Sequence, residues 1–179
     1  MLRKPHRRHD KSSSMSVVIR QMRPGDARAF LEVHHAAVRG LAAQDYSPDV
    51  INAWAPMPIL DDHIEKVRSN PEKELRLIAE LDGRVIGIGS LIATNGEFRA
   101  CYVAPAASRR GVGSAIVGAI ERAAREQGAA RLHVDSSKTA EPFYAALGYE
   151  ICERGEHILA NGRPMACVKM HKRLLPANF

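Results

Sequence analysis

One stretch of the sequence decides the fold: residues 97–150, EFRACYVAPAASRRGVGSAIVGAIERAAREQGAARLHVDSSKTAEPFYAALGYE. It predicts a strand that ends at Val103-Ala104-Pro105, a long one-faced helix from Gly111 to Gln127, and a short apolar strand from Ala130 to Val134. A second helix follows from Thr139 to Leu147. Because a helix that connects two strands of one sheet makes them parallel, we expect a parallel pair here.

The flanking sequence extends this sheet in both directions. Strands are predicted at Ser16–Met22, Leu75–Leu81, Arg84–Thr94, Glu97–Val103, Tyr149–Leu159 and Pro164–His171. Helices are predicted to begin at Asp26, Ser47 and Asp61. Two-residue turns are expected at Asp82-Gly83 and Asn95-Gly96, and a hairpin across Asn161-Gly162, because these dipeptides favour type I′ geometry. The sequence therefore predicts an α/β (mixed α+β) fold, a mixed sheet of about seven strands flanked by about four helices.

Composition indicates one globular domain at residues 16–175, preceded by a flexible basic leader at residues 1–15. Of the formal net charge of +6, the first fourteen residues carry +4, which leaves a nearly balanced domain and makes nucleic acid an unlikely partner. No apolar run is long enough to span a membrane and no secretory signal is evident, so a cytoplasmic protein is expected. Three cysteines without paired spacing predict reduced, mostly buried thiols and no metal site.

The segment Arg109-Arg110-Gly111-Val112-Gly113-Ser114 opens the long helix immediately after a strand. The first-turn amides of a helix have no intrahelical partners and lie at the positive end of its dipole, so they form an anion site. The glycines allow a phosphate to approach the backbone, and the two arginines suit a pyrophosphate. The segment lacks the Lys-Ser/Thr pair of a Walker loop and the third glycine of a dinucleotide fingerprint.

In these motifs the sequence resembles the GNAT superfamily of acyl-CoA-dependent N-acetyltransferases, over about Val17 to Arg173. The family's helix-opening signature is Gln or Arg, two residues, Gly, any residue, then Gly or Ala. Here Ser108 occupies the Gln/Arg position and Arg109 a position that is commonly glycine. A second signature, Asn-x-x-Ala-x-x-Phe-Tyr followed by Gly-aromatic, is matched at Ala140, Phe143-Tyr144 and Gly148-Tyr149, with Ser137 replacing Asn.

The resemblance implies a sheet that splays where the strand with Cys101, Tyr102 and Val103 diverges from residues 132–134, with acetyl-CoA bound in the cleft. Its pantetheine would pair with the backbone of that strand, and Ser137, which replaces the Asn of the second signature, is a further candidate for cofactor binding. Its pyrophosphate would be held by the residues of the helix-opening loop, which are Ser108, Arg109, Arg110, Gly111, Val112, Gly113 and Ser114.

Acetyl transfer to an amine needs a group that removes the ammonium proton and an acid that protonates the departing thiolate. By resemblance Tyr144 points at the CoA sulfur and is the expected acid; the alternative is that it is a core aromatic residue. Glu97 lies about where some members keep a glutamate base, with ordered water as an equal alternative. Cys101 as an acyl-carrying nucleophile is less favoured, because no His-Asp partner pattern is evident.

The family usually recognises its acceptor with the two helices after the first strand. There His34, Tyr46 and Trp54 are the candidate substrate-binding residues, although His34 and Trp54 also fit an apolar core. The predicted function is therefore acetyl transfer to a primary amine, either a small molecule or a peptide, by direct attack in a ternary complex without metal. A non-catalytic acyl-CoA-binding or sensing module is the alternative, and a homodimer stays an open question.

Overall fold

A computed structural model of the chain describes residues 16–174; the predicted basic leader at 1–15 lies outside the described residues. The strands are β1 (Val18–Gln21), β2 (Leu75–Leu81), β3 (Arg84–Ile92), β4 (Glu97–Val103), β5 (Arg131–Ser137), β6 (Glu150–Ile158) and β7 (Pro164–Arg173). The helices are α1 (Ala27–Leu41), α2 (Pro48–Trp54), α3 (Asp61–Ser69), α4 (Val112–Glu126) and α5 (Glu141–Ala146).

All seven strands form a single mixed sheet in the order β1-β2-β3-β4-β5-β7-β6. Every neighbouring pair is antiparallel except β4 and β5, which are parallel and are connected through α4. The predicted mixed α/β architecture is confirmed. The insertion of β7 between β5 and β6 leaves β6 at the edge of the sheet.

Helix α4 covers one face of the sheet and lies unusually close to β3. Ile116 and Ile120 of α4 are fully buried. A Cβ atom added to Gly89 or Gly87 would come within 2.5 Å or 2.8 Å of the Ile116 side chain, so these glycines permit the close approach. Helix α1 packs Phe30 on the opposite face.

The three turns predicted from dipeptides differ in outcome. Asp82 and Gly83 both have positive φ, as a type I′ turn requires. The expected two-residue turn at Asn95-Gly96 is wrong, because Ile92 pairs with Glu97 and four residues connect the strands. The carbonyl of Gly96 accepts a hydrogen bond from the amide of His133 at 2.9 Å, so this residue already serves the parallel pairing with β5.

The connection of the last hairpin and the strand β5 are also longer than predicted. Ile158 pairs with Pro164, which leaves a five-residue connection around Asn161-Gly162. Strand β5 continues past the predicted end at Val134 to Ser137, which pairs with Cys167 of β7. Pairing along β7 thus overrides the low strand propensity of the polar segment at residues 135–137.

Candidate active site

Strands β4 and β5 separate almost as soon as they meet. Their one backbone register pair within residues 16–174 joins Glu97 to His133. Beyond it the edge of β4 that faces β5 has no strand partner in the described part of the chain. The splay expected where Cys101–Val103 diverges from residues 132–134 is therefore present.

Two adjoining cavities occupy this splay. The first, here called the loop-side cavity, has a volume of about 840 Å³ and lies against the segment that opens α4. The second, the strand-side cavity, has a volume of about 540 Å³ and extends along β4, β5 and the ends of β6 and β7. Five residues line both cavities: Trp54, Cys101, Tyr102, Ser137 and Ala140.

The loop-side cavity brings together most of the predicted cofactor residues. It is lined by Cys101, Tyr102, Val103, Ser108, Arg109, Gly111, Gly113, Ser114 and Ser137. Arg110 and Val112 are not among the lining residues. The side chain of Val112 is buried in the core, 3% exposed, and Arg110 is exposed to solvent.

The backbone before α4 has the geometry of an anion site. Gly111 precedes the helix with a φ of 79°, and Arg109 has a φ of 61°. The family position that is commonly glycine is thus left-handed here, and the arginine occupies a conformation that an L side chain adopts at a cost. A Cβ on Gly111 would meet no atom within 4 Å, so the space in front of the helix N-terminus is open. These features fit a pyrophosphate held by first-turn amides and a guanidinium.

Gly113 serves a purpose that the sequence does not reveal. A Cβ added there would lie 3.0 Å from Cζ of Phe143. The glycine therefore makes room for the Phe143 ring, which lines the loop-side cavity from α5. The expectation that Gly113 only admits the pyrophosphate is incomplete, since the residue also shapes the cavity wall.

Tyr144 reaches the strand-side cavity from α5. Its side chain is buried, and its ring packs edge-on against Phe98 at 5.6 Å and against Tyr149 at 5.4 Å. The hydroxyl makes no hydrogen bond to any residue in the range 16–174 that the structure describes. Burial, together with the nearby Cys101, Tyr102 and Tyr149 side chains, raises the pKa of Tyr144 well above its ordinary value. The phenol therefore stays protonated at neutral pH.

Cys101 lies where the two cavities meet, and its chemistry is that of a buried thiol. Burial raises the pKa of Cys101 to about 12, and Sγ lies 3.9 Å from the carbonyl oxygen of Gly113. A thiol in this state is a poor nucleophile. All three cysteines are free: Cys167 is buried, Cys101 is half-buried and Cys152 is exposed, so the expectation of mostly buried thiols is met fully by Cys167 alone.

Glu97 lines the strand-side cavity within a cluster of charges. Its carboxylate accepts hydrogen bonds from Nε of Arg99 at 3.0 Å and from the side-chain amide of Asn95 at 3.3 Å. Arg99 also contacts Glu72 and Glu74. The Glu97 carboxylate is therefore already engaged by two neighbouring side chains.

The three predicted acceptor residues form one aromatic cluster, in which the ring of Trp54 lies 5.7 Å from that of Tyr46 and 6.4 Å from that of His34, but they do not line the cavities together. Trp54 lines both cavities. Tyr46 lines neither: its hydroxyl donates to the carbonyl of Ala166 at 2.7 Å and accepts from the amide of Lys138 at 2.8 Å. It thereby ties the segment before α2 to β7 and to the residue after β5.

His34 also lies outside both cavities. Its ring contacts Tyr102 and Trp54, at centroid distances of 4.6 Å and 6.4 Å. Burial lowers the pKa of His34 to about 3, so the imidazole is neutral at physiological pH. The core histidine whose two ring nitrogens both lie within hydrogen-bond distance of carbonyl oxygens is its neighbour His35, beside Leu31 and Pro56.

Several residues of the cavities were not predicted from the sequence. From α1 and the turn after it come Ala37, Val38, Leu41, Ala42 and Gln44; from the sheet come His133, Asp135, His157 and Met165. The alternation of exposed and buried residues along β5 would have placed His133 and Asp135 on one face. The approach of His157 depends on the strand order, which no local signal reveals.

The described residues 16–174 contain no group of three or more His, Cys, Asp or Glu side chains arranged to hold a metal ion. None of the helices in this range has the length and apolar character needed to cross a membrane.

Comparison with known proteins identifies the family. Residues 42–174 match the model of the acetyltransferase (GNAT) domain. The chain is 30% identical over 135 residues to an uncharacterized N-acetyltransferase, YafP, of Escherichia coli K12, covering 75% of this chain and 82% of YafP.

Solved structures of N-acetyltransferases share the fold of this chain. A GCN5-related N-acetyltransferase from Rhodopseudomonas palustris superposes with a TM-score of 0.81 at 33% identity, covering 89% of this chain and 98% of that one. The PaiA N-acetyltransferase from Thermoplasma acidophilum, solved in complex with coenzyme A, shares the fold with a TM-score of 0.69 at 21% identity, covering 89% of this chain and 99% of that one.

Proposed function

Because this chain belongs to the GNAT acetyltransferase family, we propose that it transfers the acetyl group of acetyl-CoA to a primary amine by direct attack in a ternary complex. One observation carries the proposal: the unpartnered edge of β4 lies between an anion site at the start of α4 and the hydroxyl-bearing side chain of Tyr144. The anion site serves donor binding, the open edge of β4 serves placement of the thioester, and Tyr144 serves proton supply.

Donor binding falls to the loop-side cavity. We assign the pyrophosphate to the first-turn amides of α4 with Arg109, and the pantetheine to the open edge of β4 at Cys101, Tyr102 and Val103. Bound there, acetyl-CoA supplies an activated thioester. Backbone amides of the open strand edge can stabilise the negative charge that develops on the acetyl oxygen, because they are fixed before the reaction begins.

Tyr144 is the proposed proton donor to the departing thiolate. The side chain is buried, its ring is held by Phe98 and Tyr149, and its hydroxyl is free of other partners within residues 16–174. Burial keeps the phenol protonated, so it can hydrogen-bond to the sulfur as negative charge accumulates there. No similar donor is offered by Cys101, since its own thiol lies against Gly113.

The amine must lose a proton before it attacks, because an ammonium has no lone pair. Glu97 lines the strand-side cavity and is one candidate acceptor of this proton, and ordered water is another. The Glu97 carboxylate already accepts a hydrogen bond from Arg99, so it is less free to face an amine than a water molecule is. The strand-side cavity, with Trp54 at its junction, is the proposed place of the acceptor.

The experiment that tests this function separates binding from turnover. Acetyl-CoA at 100 times its Kd should stabilise the fold by about 2.7 kcal/mol. Free thiol should then appear when spermidine, tyramine or a tetrapeptide with an N-terminal alanine is added. Stabilisation without thiol release from any amine would support the non-catalytic acyl-CoA-binding module instead.

A further inference from the structure

A histidine and an aspartate from two separate strands meet at the wall of the strand-side cavity. Nδ1 of His157, on β6, lies 3.1 Å from Oδ2 of Asp135, on β5. Strand β7 runs between these two strands, so the contact spans it. Both side chains line the same cavity as Tyr144, and both remain accessible, His157 at 46% and Asp135 at 38%.

The contact determines which nitrogen of His157 is available. A carboxylate accepts a hydrogen bond only from a protonated nitrogen, so Nδ1 carries the proton and Nε2 keeps its lone pair. The carboxylate also stabilises the imidazolium that forms when Nε2 takes up a proton. Such a pair is the arrangement of a general base with its orienting acid.

The other titratable side chains of the cavity are less suited to this task. Glu97 is held by Arg99 and Asn95, and Arg99 is held in turn by Glu72 and Glu74. His133 lies at the closed end of the splay, where β4 and β5 still pair. His157 alone among these groups combines a fixed tautomer with a side chain that is about half exposed.

We propose that His157, oriented by Asp135, is the base that removes the proton from the acceptor ammonium; this inference rests on the proposed function. Nε2 of His157 takes one proton from the ammonium, directly or through one water, and leaves a neutral amine. The amine lone pair forms the new bond to the acetyl carbon, and the bond from that carbon to sulfur breaks. Tyr144 gives its proton to the sulfur and recovers one from the nitrogen of the product amide. His157 returns its proton to solvent, so each turnover releases one proton.

Charged and titratable groups on several elements surround His157. The groups that line this cavity with it are Asp135 and His133 on β5, Glu97 and Arg99 on β4, and Glu72 before β2. Lys169 on β7, which is paired with Glu153, is the register partner of Asp135. A pH profile must therefore be compared with that of a variant that removes only the imidazole.

The test uses the full chain and two nucleophiles that differ in protonation. Tyramine is protonated at pH 7, whereas methoxyamine is neutral there and needs no base to free its lone pair. The variant His157→Asn keeps a side-chain amide that can donate to Asp135 and has no titratable nitrogen. We expect kcat/KM for tyramine to fall by about 10²-fold or more, with loss of the acidic limb of its pH profile, and kcat/KM for methoxyamine to fall less than about tenfold.

Asp135 is a positioning residue, and its own variant tests that role. Asp135→Asn should move the acidic limb to lower pH and reduce kcat for tyramine, with little change in the melting temperature. His63→Asn, on α3 and away from both cavities, is the matched control and should leave both activities unchanged.

Two results would overturn the inference while the transferase survives. One is a His157→Asn enzyme with the wild-type rate and acidic limb for tyramine. The other is an equal loss of kcat/KM for tyramine and methoxyamine, which would indicate that His157 only maintains the shape of the strand-side cavity. If the wild-type enzyme binds acetyl-CoA but transfers to none of tyramine, methoxyamine, spermidine and the alanyl tetrapeptide, the proposed function and the inference both fail.

Discussion

Glu97 of β4 pairs with His133 of β5, and within residues 16–174 this is the only backbone register pair that the two parallel strands share. Both cavities described above open along the separation that begins at this pair. The strand edge that it leaves open runs from the charge cluster around Arg99 to Val103, next to the start of α4. One early separation of two strands thus creates both cavities.

Removing only the Tyr144 hydroxyl should separate catalysis from packing. Tyr144→Phe keeps the ring against Phe98 and Tyr149, and no hydrogen bond to residues 16–174 is lost. We expect kcat to fall by about 10²-fold or more, with little change in acetyl-CoA affinity or melting temperature. Kinetics, calorimetric titration and thermal unfolding provide the three readouts. A wild-type rate in this variant, with chemistry shown to be rate-limiting, would return Tyr144 to a purely structural role.

The alkaline side of the pH profile offers a second test of the same residue. Because burial raises the pKa of Tyr144, the protonated and active form persists to higher pH than in a free phenol of pKa about 10. We therefore expect the decline in kcat caused by Tyr144 to begin only above about pH 10. A decline below that value that disappears in Tyr144→Phe would contradict this account.

The helices and strands could be predicted from the sequence better than the side-chain contacts between them. Start and stop signals such as Ser47, whose hydroxyl accepts a hydrogen bond from the amide of Val50, act within one turn and are readable locally. The loop before α4 could be predicted as an anion site because its signals are also local in the sequence. The contact of His157 with Asp135 spans β7, and only the strand order brings the two side chains together.

Tyr46 is a second residue whose role depends on contacts with residues that are distant in the sequence. An aromatic residue in the segment expected to bind the acceptor is a reasonable candidate by position, but its hydroxyl bonds to Ala166 and Lys138, both far along the chain. Similarly, the helical period placed His34 in the core, whereas the structure buries His35 more deeply. A difference of one residue corresponds to about 100° around a helix, which local spacing resolves poorly.

The role of Tyr46 can be measured directly. Tyr46→Phe removes two hydrogen bonds to backbone groups and should lower the free energy of unfolding by about 1–2 kcal/mol. KM for the amine should change little. A raised KM at unchanged stability would instead assign Tyr46 to acceptor binding.

Arg109 combines a useful charge with an unfavourable backbone conformation. Arg109→Gly removes the cost of a left-handed φ and should stabilise the protein by about 1 kcal/mol relative to Arg109→Ala. Both variants should bind acetyl-CoA more weakly than the wild type, to a similar degree, because both lack the guanidinium. Equal stability of the two variants in chemical denaturation would argue against strain at this position.

Gly113 and Gly118 form a matched pair on the same helix. Gly113→Val would push into the Phe143 ring and narrow the loop-side cavity, so the melting shift caused by acetyl-CoA should disappear. A Cβ atom added to Gly118 would meet no atom within 4 Å, so Gly118→Val should keep the shift. Normal acetyl-CoA binding by Gly113→Val would show that the donor lies elsewhere.

His34 should make stability depend on pH. Its pKa is lowered to about 3 in the folded state, so between that value and about 6.5 the unfolded chain binds more protons and stability decreases as pH falls. From pH 7 to pH 5 this contribution amounts to a loss of about 2 kcal/mol, which His34→Gln should not show. Denaturant unfolding at the two pH values measures the difference. The same loss in the variant would assign the effect to other groups.

Initial-rate kinetics with both substrates varied, combined with the intact mass of the enzyme after incubation with acetyl-CoA alone, tests direct transfer most directly. Direct transfer predicts intersecting double-reciprocal lines, an acetylated amine as product and an enzyme of unchanged mass, because the raised pKa of Cys101 keeps it a protonated thiol. Parallel lines with an acetyl group carried on the enzyme would contradict it.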